Sequence, residues 1–166
     1  MFRAPGDRRR GLVVAGPLRL PCALGSAGPV HDKREGDGGT PVAAMRAIAV
    51  HYRADRMVRP RTRLPARPIG RDDGWCDDPA SPSYNRPVRL PQARSHERMW
   101  REDALYDLVV DLGWNRGPVR RGRGSAIFLH VARAGLLPTE GCIAVERTRI
   151  GRLVALLGPR TRVIVC

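Results

Sequence analysis

Turns decide what this chain can be: 18 glycines and 15 prolines are spread through its 166 residues. In a helix interior glycine costs about 1 kcal/mol and proline about 3 kcal/mol relative to alanine. Breaks at this density exclude a helical bundle and favour short strands joined by turns and long loops. Apolar residues make up 42% of the chain but aromatic residues only 5%, so a core must be built mostly from Leu, Val, Ile and Ala. The length suits one domain that buries its core without disulfide staples.

Hydrophobic runs between the breaks give the expected elements. Leu12 to Val14 and Leu18 to Leu24 read as two short strands around Gly16-Pro17. A flexible polar segment is expected from His31 to Gly39, ending at Thr40-Pro41. Val42 to Tyr52 is read as a strand, although its alanines also suit a helix. Residues 53–100, rich in Arg, Pro, Asp and Gly, read as a long surface excursion with few core candidates. Leu105 to Leu112, Ser125 to Val131, Cys142 to Val145 and Arg162 to Val165 read as further strands. Ile150, Leu153, Val154 and Leu157 repeat at helical spacing after Thr148, and Gly158-Pro159 stops that helix. The fold class is therefore mainly β with one C-terminal helix and long loops. Residues 1–17 form an N-terminal extension or first strand, and 18–166 a single domain.

The formal net charge is +14, carried almost wholly by arginine, with Lys33 the only lysine. Such a chain is drawn to polyanions, but scattered arginines equally reflect a biased codon usage, and no helix-turn-helix, zinc-finger or aromatic ribonucleoprotein pattern accompanies them. No specific nucleic-acid partner is expected. No apolar run approaches the roughly 20 residues of a membrane span. Arg8-Arg9-Arg10 and the stretch to Leu20 imitate a signal peptide, but Pro17 and Arg19 interrupt it. Cys22, Cys76, Cys142 and Cys166 form no CxxC pair, so no metal site or cofactor is expected from them. Asp72-Asp73 with Asp77-Asp78 suits solvated or arginine-paired acids better than a metal. A solvated turn accounts for Arg120 to Arg123 and packing for Trp75, Trp100 and Trp114. His96-Glu97 suits either a helix start after Ser95 or a contribution to a cleft.

One pairing carries chemistry. His130 ends an apolar strand, and twelve residues later Gly141-Cys142 begins another after a Pro-containing loop. Adjacent strands would bring imidazole and thiol together. Cysteine attacks as its thiolate, and a neighbouring imidazole stabilises that anion or takes its proton. Gly141 would admit close backbone approach by a substrate, and local N–H groups could hold an oxyanion. A buried inert cysteine and a satisfied core histidine remain the alternatives on these grounds.

Gly122-Arg123-Gly124-Ser125-Ala126-Ile127-Phe128-Leu129-His130, followed by Pro138-Thr139-Glu140-Gly141-Cys142-Ile143, resembles the L,D-transpeptidase (YkuD-like) catalytic domain, which carries an upstream His and a Ser/Thr-x-Gly-Cys motif. Asp32-Lys33, Gly39-Thr40-Pro41, Ser95-His96-Glu97, Leu105-Tyr106-Asp107 and Asn115 extend the likeness over most of residues 18–165. The resemblance implies a β-sandwich with a short helix and a bacterial cell-wall enzyme of the periplasm or wall. Its partners would be peptidoglycan stem peptides, and carbapenems its inhibitors. Carried over, Cys142 attacks the carbonyl after an L-centre and His130 serves as its base. Gly141, Thr139 and Glu140 stand at the oxyanion and substrate positions. The thioester then passes to an amine, or to water in an L,D-carboxypeptidase or amidase. A non-catalytic basic binding module is the reading from another class. The chain departs from the family at Glu140, where His is common, at Ala144, where Arg is common, and at Ala43, where the Thr-Pro-x-Gly element has Gly.

Overall fold

The computed structural model describes residues 2–3 and 6–166. Of the expected 1–17 extension, residues 1, 4 and 5 lie outside the described residues. In chain order the strands begin with β1 (Phe2–Arg3), β2 (Arg10–Ala15), β3 (Leu18–Ala23), β4 (Gly28–Val30) and β5 (Gly39–Pro41). They continue with β6 (Ala44–Arg46), β7 (Ala49–Tyr52), β8 (Ala66–Pro68), β9 (Asp73–Cys76), β10 (Pro87–Arg89) and β11 (His96–Arg98). The last are β12 (Leu108–Asp111), β13 (Phe128–Val131), β14 (Ile143–Val145) and β15 (Arg162–Ile164), with helix α1 (Arg147–Ala155) between β14 and β15. The fold is mainly β, with that single α-helix among the described residues, as expected.

An eight-stranded sheet in the order β1-β2-β3-β14-β13-β12-β7-β8 forms the body. Alternation of side chains across its central strands gives it two apolar faces. Leu108, Val110, Leu129, Val131, Ile143 and Val145 point into the larger core, with Met45 of β6 and Ile150, Leu153 and Val154 of α1. Val109, Phe128 and Cys142 point the other way, into a second cluster with Trp75 and Met99. A three-stranded sheet, β10-β9-β11, supplies that cover. The stretch that imitates a signal peptide is a β2–β3 hairpin, paired from Arg10↔Ala23 to Ala15↔Leu18.

Four expectations are corrected. Val42 to Tyr52 is two strands in different sheets, β6 pairing β15 and β7 pairing β12 and β8, because the chain must leave one layer for the other at Ala47-Ile48. The excursion over 53–100 contains a sheet of its own. Three of its scattered apolar residues, Ile69, Trp75 and Met99, are spaced too far apart to show a period, yet all three are buried over the second face. The His31–Gly39 segment is a folded turn: buried Lys33 donates to the Asp37 carboxylate and to the Arg34 carbonyl (2.7 Å). Asp37 also accepts the Arg34 and Gly39 N–H groups at 2.7 and 2.8 Å. Finally, His96-Glu97 begins strand β11 rather than a helix, held opposite Cys76 and Trp75 by sheet pairing.

Candidate active site

β13 and β14 are adjacent and parallel, with Leu129 opposite Ile143 and His130 opposite Ala144. One step back, this register puts Cys142 level with Phe128, and the Phe128 N–H reaches the Cys142 Sγ at 3.3 Å. Because opposite residues share a face, Phe128, His130, Cys142 and Ala144 all project from the same side of the sheet. Both Cys142 and His130 line a cleft of about 330 Å³, bordered also by Glu97, Arg101 and Tyr106.

The turn before Cys142 explains why its residues must be Thr-x-Gly. The Thr139 backbone is tied to the β3–β4 loop, donating to the Leu24 carbonyl (2.9 Å) and accepting from Ser26 N–H (2.8 Å). Its hydroxyl donates to the Cys142 carbonyl (2.7 Å) and accepts the Gly141 N–H (3.2 Å). Gly141 has φ +132°, and a Cβ there would stand 2.7 Å from the Gly39 carbonyl oxygen. Gly25 is as constrained, with a Cβ position 2.1 Å from the Gly38 oxygen and its N–H bonded to Thr40 Oγ1 at 2.8 Å. The Gly39-Thr40-Pro41 element thus backs the cysteine turn. Thr139 is a turn-former that borders the cleft, and exposed Glu140 stands on its rim.

The thiol and imidazole are both nearly buried, at 8% and 5% exposure. Burial pushes the Cys142 thiol up to about 12, although the Phe128 N–H opposes it. Burial drives His130 down to about 4, against its bond to the Val131 carbonyl, and Arg101 and Arg133 add to the depression. The pair therefore rests neutral. Sγ–H donates to the Ala126 carbonyl at 3.2 Å. His130 Nδ1 lies 2.8 Å from the Val131 carbonyl, which assigns the proton to Nδ1 and leaves Nε2 as the acceptor. A backbone carbonyl, not a carboxylate, orients the ring.

Several groups here have no obvious sequence signal. Tyr106 packs edge-on to His130 with ring centroids 5.3 Å apart, and its hydroxyl bonds to Glu97. Glu97 accepts from Arg101 at 2.9 Å, Arg101 is gripped again by Asp103 at 2.6 Å, and its guanidinium lies 5.0 Å over the Tyr106 ring. Burial raises the Glu97 carboxyl, with Arg101 opposing. Glu97 and Tyr106 sit in family-like motifs, but neither motif indicates a role, and Arg101 is one arginine among many. Asn85 is 1% exposed, and its Oδ1 accepts from Trp75 Nε1 (3.0 Å) and Ala126 N–H (3.1 Å). Its Nδ2 donates to the carbonyls of Trp114 (2.8 Å) and Asn115 (2.9 Å). It thereby anchors the segment whose Ala126 carbonyl accepts the hydrogen bond from the thiol.

Other candidates fall elsewhere. Trp75 meets Phe128 edge-to-face at 5.0 Å beneath the site, Trp100 carries Arg53 at 3.5 Å, and Trp114 Nε1 donates to the Arg123 carbonyl at 2.9 Å. Asp73 and Asp78 pair with Arg89 (2.7 Å) and Arg94 (3.2 Å), while Asp77 borders the cleft. Arg123 pairs with Asp32, and His96 lies outside the cleft lining. Among the described residues, no helix is long and apolar enough to cross a membrane.

A family model described as the L,D-transpeptidase catalytic domain (YkuD) matches residues 8–165. No curated protein and no solved structure matches the chain significantly.

Proposed function

From the premise that the chain belongs to the L,D-transpeptidase catalytic-domain family, we propose that it is a cysteine-dependent acyltransferase acting on peptidoglycan stem peptides. The observation that carries this reading is the meeting of Cys142 and His130 in one cleft, on one face of two adjacent strands.

Because thiol and imidazole rest neutral, attack and proton transfer go together. Sγ leaves the Ala126 carbonyl, gives its proton to His130 Nε2 and bonds to the carbonyl carbon after the L-centre. The Gly141 N–H is occupied by Thr139, so the Cys142 N–H is the backbone candidate for the developing oxyanion. His130 then protonates the leaving amine as the C–N bond breaks, freeing the terminal D-residue and leaving a Cys142 thioester. An amine of a second stem, deprotonated by His130, resolves the thioester into a cross-link. Water in its place makes the same site an L,D-carboxypeptidase. Such chemistry belongs in the periplasm or cell wall, where its substrate is.

Incubation with a carbapenem should add one inhibitor mass to the intact wild-type protein and none to Cys142→Ala. Absence of the adduct from wild type would count against the nucleophile. Purified disaccharide-tetrapeptide should yield cross-linked dimers, and shortened stems alone would assign hydrolysis.

A further inference from the structure

The cleft contains two arginines in different electrostatic situations. Arg101 is neutralised by Glu97 and Asp103. Arg133 is exposed and makes no ion pair among the described residues, yet it borders the same cleft as His130. Its charge is felt at His130 and at Asp103. Four residues further along the β13–β14 connection, Leu137 lines the same cleft and is 53% exposed. A guanidinium without an ion pair among the described residues and an uncovered apolar side chain in one cleft suit a small anion with an apolar substituent.

The strand direction gives these residues an order. Cys142 is level with Phe128, and His130 lies two residues further along β13, about 7 Å on at strand rise. Arg133 follows just past the strand end, where Ala132 N–H still bonds to the Val145 carbonyl (2.8 Å). Nucleophile, base and free cation therefore succeed one another along one edge of the cleft. Glu140 lies at the other end of the connection, beside Cys142. A peptide with its scissile carbon at Sγ and its leaving nitrogen at His130 would carry the leaving residue's carboxylate onward, away from Glu140 and toward Arg133.

We infer that Arg133 and Leu137 form the leaving-residue subsite, Arg133 binding the free α-carboxylate of a C-terminal D-amino acid and Leu137 covering its small apolar side chain. This rests on the stem-peptide reading above. In the step it serves, the scissile C–N bond breaks and the thioester C–S bond remains. The proton from Sγ passes through His130 to the leaving amine, so a free D-amino acid forms with its carboxylate on Arg133 and then dissociates.

The test compares two synthetic donors that both end in D-Ala after an L-centre, one with a free carboxylate and one with a carboxamide. Release of D-Ala or of D-alaninamide is followed by mass spectrometry. Wild type should favour the acid donor by about tenfold or more in kcat/KM, the scale of one hydrogen bond to a charged group. Arg133→Gln should raise KM for the acid donor relative to the amide donor and so abolish the preference, while any change in kcat from losing its charge near His130 falls on both donors alike. Arg133→Lys should restore part of it. Equal losses on both donors, or an undiminished preference in Arg133→Gln, overturn the subsite alone. If wild type forms no Cys142 thioester with either donor while carbapenem still acylates Cys142, the stem-peptide reading falls and the subsite with it.

Discussion

His130 shows most directly how burial at the site couples to stability. An unfolded imidazole near 6.5 takes up a proton that the folded one, near 4, refuses. Stability contributed by the neutral folded form is complete above pH 6.5 and is lost as pH falls through that window. The shift corresponds to about 3 kcal/mol. Urea unfolding of wild type and His130→Gln near pH 7 and near pH 4 should show a steeper acid loss in wild type, and parallel losses would contradict the burial argument. Cys142 carries the opposite shift, so its thiol proton leaves only in alkali or with the help of a base. Gly141 shows a different constraint, since only glycine reconciles its positive φ with the Gly39 carbonyl 2.7 Å from a Cβ position.

At the scale of elements, two layers meet around the cleft. The strands of the large sheet position Cys142 and His130, while β9 and β11 bring Trp75 beneath them and Glu97 beside them. Asn85 joins the layers through its four bonds to Trp75, Ala126, Trp114 and Asn115. Asn85→Ala leaves buried donors and acceptors unmatched, and should cost about 2–4 kcal/mol in urea unfolding. It should also slow acylation of Cys142 by releasing Ala126. A variant with wild-type stability and acylation would show that the layers are held together by apolar contact alone. The Asn85 link was not legible in the isolated sequence, where Asn85 lies in a Pro- and Ser-rich loop with no apolar period around it.

At the scale of the molecule, a net charge of +14 is spread over a surface where many arginines pair locally with Asp or Glu. Exposed pairs contribute little each, so mutual repulsion among the remaining cations should dominate the salt response. Raising NaCl from about 0.05 M to about 0.5 M should therefore raise Tm by a few degrees, because the Debye length shrinks to a few ångströms. A falling Tm would mean that the ion pairs outweigh the repulsion. Against this positive surface the cleft is locally mixed, with Glu97 and Asp103 neutralising Arg101 while Arg133 makes no ion pair among the described residues.

Local sequence determined those features that depend on neighbours along the chain. Turn residues imposed short strands, helical spacing marked α1, and the Ser-Ala-Ile-Phe-Leu-His and Thr-Glu-Gly-Cys runs singled out His130 and Cys142. The strand containing His130 proved shorter than the apolar run, Phe128–Val131 rather than Ser125–Val131, since Ala126 turns to positive φ to receive the thiol. Tertiary structure decided what depends on distance across the fold. It paired β13 with β14, covered their outer face with residues from 53–100, locked Arg101 between two carboxylates and left Arg133 at the rim with no ion pair among the described residues. The reason is physical: turn propensity and hydrophobic period act between residues a few positions apart, whereas burial, the neutral state of the thiol–imidazole pair and the pairing of charges arise only when distant segments meet.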